Sequence, residues 1–407
     1  MKPVKRILFL TDNFPPEVNA PATRTYEHAI EWQNAGHEVT IITSFPNYPK
    51  GKLFDGYKQH IWKSDDDFPF RVIRVWTIMF PNSGFLKRVI DQLSYAIMAF
   101  IVGLFIKTDV IVATSPQFFT AVSGRWLSFF TGKPWIMEIR DLWPETIAAV
   151  GAMKKGKIYR ALERLELRLY KSASKLIVVT DTFKKKICAR GIAPEKISVH
   201  KNGVILDKFK PRPKDTELLR LMPELEGKFV FAYIGTHGMT HGLDFVLKAI
   251  KQLEYSNPEM QFLFIGDGAE KQNLMELSDK LNLSNVTFHP LVSKDVVSRY
   301  LSLMDVSLVN LKKSDTFKTV IPSKIFEAAA LQKPILLGLE GETKEIIQYY
   351  NAGLCFEPEN ESEFIEQCKT ILDYQHYQEF QKGCEKLAQA FDRKQIALQI
   401  LETIITD

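Results

Sequence analysis

Cysteine is scarce in this sequence. The 407 residues include four cysteines, and none of them forms a C-x-x-C pair or lies at a metal-binding spacing from a histidine. The sequence therefore indicates neither a disulfide framework nor a zinc site. Such cysteine usage fits a protein of the reducing cytoplasm.

Long hydrophobic runs are absent as well. The most apolar segment is 85–106, but Lys87, Asp91 and Gln92 interrupt it, so it lacks the uninterrupted span that a bilayer requires. The run Ile7–Leu10 is too short for the core of a signal peptide. Two interpretations of 85–106 stay open: a buried helix of an α/β domain, or a helix whose apolar face contacts a membrane surface.

The segment 154–175 carries a related ambiguity. Its basic residues recur on one face of a helix, opposite a row of leucines: Lys154, Lys155, Lys157, Arg160, Arg164, Arg168, Lys171 and Lys175. A solvated helix face and a surface for anionic lipid both explain this pattern. Taken together with 85–106, it favours peripheral contact with a membrane.

Neither a strong net charge nor a dinucleotide motif is present. The formal net charge of +5 is too mild for a typical nucleic-acid-binding protein. A dinucleotide fold places G-x-G-x-x-G after its first strand, whereas residues 11–24 contain no glycine, which argues against an NAD or FAD cofactor. The D-x-D pattern within Ser64–Asp67 can hold a divalent cation, but its position before a strand favours a solvated acidic turn.

Strand-length apolar runs alternate with helix-length segments along the chain. Strands are predicted at 5–11, 38–43, 71–76, 109–114, 134–138, 175–180, 229–234, 261–265, 286–288, 306–309 and 335–337. Helices are predicted at 22–35, 157–171, 242–255, 268–281, 293–303, 323–332 and 342–350, and from about 361 onward. This alternation is typical of parallel, doubly wound sheets.

A glycine- and proline-punctuated segment at 201–213 separates two such series. We therefore predict an α/β fold with two Rossmann-like, doubly wound parallel-sheet domains, 1–202 and 203–390, that face each other across a cleft. The last segment, 391–407, is expected to be a helix that packs back on the first domain. Ligands of such sheets bind at the loops that follow the strands.

In the first domain, polar residues follow two of the predicted strands. The loop 11–24 and the segment 138–145 supply candidates for binding an acceptor and for acting as a base: Glu17, Asn19, Arg24, Arg140, Asp141 and Glu145. A carboxylate at a strand end can accept a proton from an acceptor hydroxyl, and Asp141 is the first choice, followed by Glu145.

In the second domain, small and polar residues follow four strands. Small residues let backbone N–H groups approach a phosphate, and a helix N-terminus suits a diphosphate. Ser323 is predicted to cap the helix 323–332, with Lys324 near the diphosphate and Glu327 within reach of a ribose. The candidate donor-binding residues are Gly235, His237, His241, Gly266, Leu291, Ser323, Lys324 and Glu327. His237 and His241 lack an obvious third ligand, so no metal site is predicted.

Several segments together resemble glycosyltransferase family 4. They are PPE at 15–17, NAGHEVTIIT at 34–43, EIRDLWPE at 138–145, KNGVILDKF at 201–209, IGDGAE at 265–270 and PSKIFEAAALQKPIL at 322–336. The resemblance implies the GT-B fold, a nucleotide-sugar donor on the second domain, an acceptor on the first, and retention at the anomeric carbon without a metal. The closest likeness is to N-acetyl-L-fucosamine transferases of bacterial O-antigen and capsule synthesis.

Three positions depart from the family pattern. The family glutamate eight residues before Glu327 is replaced by Thr319, and the phosphate-clamping Arg and Lys correspond to Thr236 and His241. With no carboxylate at 319 to bind a sugar hydroxyl, a 6-deoxy donor is one explanation of the first departure.

The expected activity is transfer of an amino or 6-deoxy sugar from a nucleoside diphosphate, expected to be UDP. The acceptor is expected to be a polyprenyl-diphosphate-linked saccharide on the inner face of the bacterial cytoplasmic membrane, with no further cofactor. A sugar-nucleotide 2-epimerase and a non-catalytic nucleotide-sugar-binding partner remain alternatives.

Overall fold

The structure is a computed structural model that describes residues 3–81, 85–149, 153–154, 156–293 and 296–406. The chain divides into two compact units. Unit 1 comprises the chain up to Lys201 together with the segment from Lys394 onward, and unit 2 comprises Asn202–Arg393. The boundaries predicted from the sequence lie after residues 202 and 390.

Unit 1 is built on one mainly parallel sheet. Its strands are β1 (Arg6–Leu10), β2 (Glu38–Ser44), β3 (Trp62–Asp65), β4 (Arg71–Val75), β5 (Val110–Thr114), β6 (Trp135–Ile139), β7 (Lys175–Val178) and β8 (Ile197–Val199). Its helices are α1 (Ala20–Asn34), α2 (Phe85–Gly103), α3 (Phe118–Thr131), α4 (Glu145–Ala149), α5 (Lys157–Ser172), α6 (Asp181–Cys188) and, at the C-terminus, α15 (Arg393–Ile405).

Unit 2 repeats the plan on a smaller, fully parallel sheet. Its strands are β9 (Phe229–Ile234), β10 (Met260–Ile265), β11 (Val286–His289), β12 (Val306–Asn310), β13 (Ile335–Gly338) and β14 (Gly353–Cys355). Its helices are α7 (Thr216–Leu221), α8 (Leu243–Leu253), α9 (Lys271–Lys280), α10 (Val297–Leu301), α11 (Lys324–Ala330), α12 (Glu342–Tyr350), α13 (Glu361–Thr370) and α14 (Tyr374–Ala390).

Each sheet has one point at which the strand order reverses. The order is β3-β4-β2-β1-β5-β6-β7-β8 in unit 1 and β11-β10-β9-β12-β13-β14 in unit 2. The reversals therefore lie between β1 and β5, and between β9 and β12. Such switch points leave a crevice at the carboxyl ends of the strands, which is where doubly wound sheets bind ligands. The predicted α/β fold class is confirmed.

Three short strands were not predicted. The strands β8 and β14 have three residues each, too few to show a hydrophobic period. The strand β3 pairs antiparallel with β4 at the sheet edge and is mostly polar. It includes Asp65, whose carboxylate pairs with the buried Arg74 at 2.6 Å. The prediction of a solvated acidic turn over Ser64–Asp67 is therefore wrong at Asp65, because a guanidinium from the neighbouring strand lies against it.

The C-terminal helix α15 closes one face of the unit 1 sheet. Trp32 of α1 is fully buried, stacks on Phe9 of β1 with ring centroids 5.1 Å apart, and donates its indole N–H to the carbonyl of Ala397 at 2.8 Å. Ile396 and Ile400 are also buried. Burial of such large side chains contributes about 1.5–3 kcal/mol each, which fixes α15 on this unit.

The apolar segment 85–106 forms α2, and its two faces differ. Tyr95, Ala96, Ala99 and Val102 are buried in the core of unit 1, as expected for a helix of an α/β domain. The opposite face exposes large hydrophobic side chains. Among the described residues, no helix is both long enough and apolar enough to cross a membrane. Lys155 of the basic segment lies outside the described residues.

Candidate active site

Unit 1 contains a polar cavity at its switch point. The cavity has a volume of about 310 Å³ and is lined by the loops after β1, β2, β5 and β6 and by the start of α2. Asp12 and Asn13 follow β1, Pro116 and Gln117 follow β5, and Asp141 follows β6. The sequence rule that site residues follow strands therefore identifies this cavity.

Three carboxylates line the cavity. Burial raises the pKa of Asp91 to about 7, with the nearby Glu17 adding to the effect. Burial also raises the pKa of Asp12 well above its ordinary value, and the negative charge of Asp91 raises it further. Burial raises the pKa of Asp141, against the opposing effect of the Arg140 cation. A carboxylate with a pKa near 7 suits proton transfer at neutral pH.

Two cavity residues have buried polar atoms that find no hydrogen-bond partner in the described part of the chain. The side-chain oxygen of Asn19 caps α1 by accepting from Ala22 N at 2.9 Å, but its Nδ2 has no partner. The Oε1 of Gln92, on α2, is also buried and unpartnered. A buried unmade hydrogen bond costs about 1–3 kcal/mol. The residues that line the cavity therefore include one donor and one acceptor that lack a partner among the described residues.

Glu17 holds residues of the cavity wall in place through hydrogen bonds. Its Oε1 accepts hydrogen bonds from the backbone N–H groups of Asn47 and Tyr48, both at 2.8 Å, and its Oε2 accepts from Asn13 Nδ2 at 2.8 Å. Asn13, Asn47 and Tyr48 all line the cavity, whereas Glu17 does not. In this structure Glu17 is a positioning residue for the wall, in place of the predicted acceptor contact.

Arg24 has a structural partner rather than a solvent-facing role. Its guanidinium pairs with Glu138 at 3.1 Å, and both side chains are buried. Burial opposes ionisation of Glu138, but the Arg24 and Arg140 cations more than compensate and lower its pKa. Removing one partner of a buried pair costs about 3–5 kcal/mol. The pair thus fixes the start of the segment 138–145. It also explains the burial of Arg24 without a contact to an acceptor substrate.

The other candidate residues on the segment 138–145 lie in different environments. Asp141 lines the cavity, and its neighbour Arg140 is half-buried. Glu145 begins α4, is exposed, and pairs with Lys186 at 2.8 Å. Neither Arg140 nor Glu145 lines the cavity. The geometry therefore favours Asp141 as the functional carboxylate of this segment.

The sequence analysis did not identify three residues that line the cavity: Asp12, Arg88 and Asp91. Asp12 follows the first strand directly, so the strand-end rule was sufficient to find it. Asp91 and Arg88 lie in a helix, and their only signal was the presence of charges in an otherwise apolar segment.

Unit 2 has a glycine-lined cluster at its own switch point. Gly235 directly follows β9 and Gly266 directly follows β10, and Gly235 N donates to Ile265 O at 2.8 Å. Both glycines have positive φ, 144° and 153°. A Cβ on Gly266 would lie 1.8 Å from the carbonyl oxygen of Gly235. Only glycine lets the two loops approach this closely.

Lys324 reaches this cluster from the start of α11. Its amine lies 3.6 Å from the centroid of the Tyr233 ring, a cation–π contact. Burial lowers the pKa of Lys324 to about 7, with only Glu327 opposing the effect. In the part of the chain that the structure describes, no carboxylate lies within ion-pair distance of this amine. Because a buried cation needs an anion, the arrangement suits a phosphate group.

The two histidines near Lys324 are not charged phosphate donors. His237 is fully buried, its ring among Tyr233, Phe264 and Phe288. Burial lowers its pKa to about 4, helped by the nearby lysine cations. The pKa of His241 is also lowered, first by burial and then by Lys324. A lowered pKa favours the neutral ring, which still carries one N–H donor, so the candidate role of these histidines as hydrogen-bond donors to a phosphate stays a prediction.

The remaining donor-side candidates surround the start of α11. Ser323 occupies the N-cap position of α11, as predicted, but its dihedral angles are helical and its side chain makes no cap hydrogen bond. Glu327 is half-buried in the first turn of α11. Leu291 is exposed after β11. Thr319 donates its hydroxyl to the carbonyl of Thr316 at 3.0 Å.

Two supporting residues of this cluster were also missed. Lys271 of α9 donates from Nζ to the carbonyls of Gly266 and His289, at 2.8 and 3.2 Å. Asn310 ends β12 and donates from Nδ2 to the carbonyl of His241 at 2.7 Å. Each side chain holds a loop of the cluster from a neighbouring element, a long-range contact that the sequence does not show.

No group of three or more His, Cys, Asp or Glu side chains that could hold a metal ion occurs among the described residues.

Both halves of the chain match known family models. Residues 19–203 match "Glycosyl transferase 4-like domain", and residues 217–391 match "Glycosyl transferases group 1". The two matches fall on the cavity of unit 1 and the glycine-lined cluster of unit 2. This chain is a glycosyltransferase of the GT-B fold, of the group 1 and 4-like families.

One curated relative and two solved structures illustrate the similarity. The enzyme is 26% identical, over 87% of its length and 89% of the relative's, to the putative colanic acid biosynthesis glycosyl transferase WcaI of Escherichia coli (strain K12). It resembles in fold the sucrose-phosphate synthase of Thermosynechococcus elongatus (16% identity, TM-score 0.76, 98% of each chain). It also resembles HepE of Anabaena in complex with UDP (18% identity, TM-score 0.72, 98% of this chain and 99% of that one).

The first prediction concerns Gly235. A Cβ at this position would lie 2.7 Å from both Cε and Nζ of Lys324, so Gly235→Ala should push the flexible amine away from the Tyr233 ring. We expect UDP binding to fall by about tenfold, the loss of one charge-assisted contact, as measured by calorimetry.

The matched control for Gly235→Ala is Gly227→Ala. Gly227 also has positive φ, 68°, but nothing lies within 4 Å of its Cβ position. This variant bears backbone strain without the collision, and it should bind UDP like the wild type. Equal UDP affinity in the Gly235→Ala variant would show that the placement of Lys324 does not matter.

The second prediction concerns Asp91. Burial raises its pKa to about 7 in the folded enzyme, well above the ordinary value for an aspartate, so between these two values the folded state binds more protons than the unfolded state. Stability should therefore fall as pH rises from 4 to 7. Asp91→Asn should be more stable than wild type at pH 8 by about 1–2 kcal/mol, discounted for partial solvent exposure.

Thermal unfolding at pH 4 and pH 8 checks this prediction. At pH 4 the wild-type carboxyl is neutral, so the advantage of Asp91→Asn should disappear, and Asp55→Asn, at an exposed site, should show no advantage at either pH. A stability gain that is equal at both pH values would contradict the raised pKa.

Proposed function

We propose that this enzyme transfers an amino or 6-deoxy sugar, such as N-acetyl-L-fucosamine, from a UDP-linked donor to a polyprenyl-diphosphate-linked saccharide. The pathway is synthesis of a bacterial surface polysaccharide such as O-antigen or capsule. The similarity to WcaI, a putative colanic acid biosynthesis glycosyl transferase, supports the pathway class. The UDP complex of the structural neighbour HepE supports the nucleotide.

The observation that carries the proposal is the amine of the half-buried Lys324, which lies beside Gly235 and over the Tyr233 ring and makes no ion pair among the described residues. In the proposed mechanism the donor diphosphate supplies the missing anion and restores the protonated state of the amine. As the bond to the anomeric carbon breaks, negative charge grows on the leaving diphosphate. Lys324 then stabilises the transition state more than the bound donor, which accelerates the reaction.

The other residues of unit 2 supply binding. Glu327 lies one turn beyond Lys324 on α11 and is proposed to accept hydrogen bonds from the ribose hydroxyls. The backbone N–H groups around Gly235 and Gly266 are proposed to contact the diphosphate, together with the Ser323 hydroxyl. Leu291 and the backbone beside it are proposed to contact the nucleobase.

The proposal of a 6-deoxy donor sugar is based on Thr319. A family carboxylate at this position would accept a hydrogen bond from a sugar hydroxyl, but the Thr319 hydroxyl already donates to Thr316 O. A donor without that hydroxyl leaves nothing unpaired, which favours a 6-deoxy sugar. We propose retention at the anomeric carbon without a metal, as the family resemblance implies.

The acceptor is proposed to occupy the cavity of unit 1. Its hydroxyls would pair with the unpartnered Asn19 Nδ2 and Gln92 Oε1. Asp141 or the neighbouring Asp91 is proposed to receive the proton of the attacking hydroxyl, since burial raises the pKa of both carboxyls. The enzyme is proposed to work in the cytoplasm, peripherally attached to the inner face of the membrane.

The third prediction tests the roles of Lys324 and Glu327. With UDP-N-acetyl-L-fucosamine, a short-chain polyprenyl-diphosphate saccharide and excess EDTA, the wild type should release UDP only when the acceptor is present. Lys324→Ala should lower kcat by about 10²–10³-fold with a smaller change in KM, because the lost contact strengthens in the transition state. Glu327→Ala should mainly raise the donor KM.

The contrast between the two variants is the internal control. A Lys324→Ala variant with normal kcat and a raised KM would make Lys324 a binding residue only. Conversion of the nucleotide sugar without any acceptor would support an epimerase instead. Donor binding with no turnover under any acceptor would support a non-catalytic partner, and loss of activity in EDTA would overturn metal independence.

A further inference from the structure

The strand β3 forms an open edge of the unit 1 sheet. It stands first in the strand order and pairs antiparallel with β4. Just before the strand, Trp76 N donates to Ile61 O at 3.0 Å. Because hydrogen bonding alternates along an antiparallel pair, the backbone groups of Lys63 face β4, while those of Trp62 and Ser64 point away from the sheet. Such an edge is a template for pairing with a further strand.

Large hydrophobic side chains are exposed at this edge. Ile61 is 72% exposed, Trp62 56% and Trp76 40%. Ile61 and Trp76 are neighbours across the two strands, joined by the backbone hydrogen bond between them. Exposed apolar side chains that surround outward-facing backbone groups indicate an interaction site. We refer to residues 61–67 as the β3 edge.

The charges of the β3 edge are arranged by sign along the chain. Lys63 comes first, and Asp65, Asp66 and Asp67 follow it. Among the described residues, Lys63, Asp66 and Asp67 make no ion pair. A lysine on an edge strand usually discourages pairing, but here the same strand carries acidic residues directly after it. Two copies in antiparallel orientation therefore place the lysine of each against the acidic end of the other.

The hydrogen-bond alternation limits the register of such a pair. Hydrogen bonds between the copies must join outward-facing groups, so the two-fold axis falls on Trp62, Lys63 or Ser64. An axis on Lys63 opposes the two lysines, which is repulsive. An axis on Trp62 leaves Lys63 opposite Ile61. An axis on Ser64 pairs the strand along its length and sets Lys63 of each copy directly opposite Asp65 of the other.

Arg74 holds the acidic partner in place. Its Nε pairs with Asp65 Oδ2 at 2.6 Å, and both side chains are largely buried. The other guanidinium nitrogens donate to the carbonyls of Pro15 at 2.6 Å and Ser44 at 3.1 Å. The carboxylate of Asp65 is therefore already ordered, so a lysine from a second copy meets it without the entropic loss of fixing a free side chain.

We propose that this enzyme forms a two-fold symmetric dimer in which two β3 edges pair antiparallel about Ser64. The unit 1 sheets of the two copies then join into one sheet. The charge pattern is complementary to itself, which selects a second copy over an unrelated extended segment. Because β3 has four residues, the interface is small and the Kd is expected to be about micromolar. The dimer does not rest on the proposed donor or acceptor.

Sedimentation with charge variants tests the pairing. The wild type should show a monomer–dimer equilibrium with a Kd of about micromolar. Lys63→Glu makes the β3 edge uniformly acidic, and the double variant Asp66→Lys, Asp67→Lys makes it mainly basic. Each should weaken dimerisation by about tenfold or more through like-charge repulsion. The matched control Lys210→Glu reverses an exposed charge on unit 2 and should dimerise like the wild type.

Mixing the two charge variants separates charge pairing from misfolding. Apart, the Lys63→Glu protein and the double variant should both sediment mainly as monomers. An equimolar mixture should form a heterodimer, because the acidic edge of one protein then faces the basic edge of the other. Misfolded strands cannot be rescued in this way. A mixture that stays monomeric contradicts the pairing.

Ser64→Cys tests the register. With the axis on Ser64, the two Cα atoms lie about 5.5 Å apart, a separation that a disulfide spans. Mild oxidation should therefore link the two copies of this variant. The wild type and the matched control Ser256→Cys, at an exposed position of unit 2, should stay unlinked. Linkage through Trp62→Cys with none through Ser64→Cys overturns the register.

Two results overturn the dimer as a whole. One is a wild-type protein that sediments as a monomer at every concentration up to about 100 μM, far above the expected Kd. The other is a dimer that Lys63→Glu leaves intact, because the contact then lies on another surface of the molecule.

Discussion

The glycine-lined cluster of unit 2 depends on one desolvated lysine amine that makes no ion pair among the described residues. Lys324 lies over the Tyr233 ring, and the absence of a side chain at Gly235 leaves the space that its amine occupies. Gly266 in turn permits the close approach of the two loops, and Lys271 and Asn310 hold those loops from neighbouring elements. These contacts preorganise a cation for an anionic ligand, so binding need not assemble the site.

The two units share one topology, but the strand-order reversal gathers ionisable groups of opposite charge in each. In unit 1 the strand-order reversal gathers the carboxylates Asp12, Asp91 and Asp141, and burial raises their pKa values. In unit 2 the reversal gathers a cation, and burial lowers its pKa. Each group is held in an environment that disfavours its charge, which reduces stability but suits proton transfer at one site and anion binding at the other.

Local pattern was enough to predict the fold class and most strands, because buried parallel strands are continuous apolar runs. It also placed Asp141, Gly235 and Lys324, which follow strands or begin a helix. The roles of residues whose partners are distant in the sequence could not be predicted from local pattern. Nothing near Arg24 in sequence indicates its pairing with Glu138, over a hundred positions away. Nothing local to His237 reveals that its ring is buried among aromatic side chains.

The most direct test of this account is the pKa of Lys324, followed by NMR of its labelled side chain with and without UDP. The free enzyme should show a pKa of about 7, because burial disfavours the charged amine. Saturating UDP should raise that pKa substantially, since the diphosphate supplies the missing negative charge, and Gly235→Ala should abolish the change. A pKa near the ordinary lysine value in the free enzyme, or one that UDP leaves unchanged, would contradict the donor site described here.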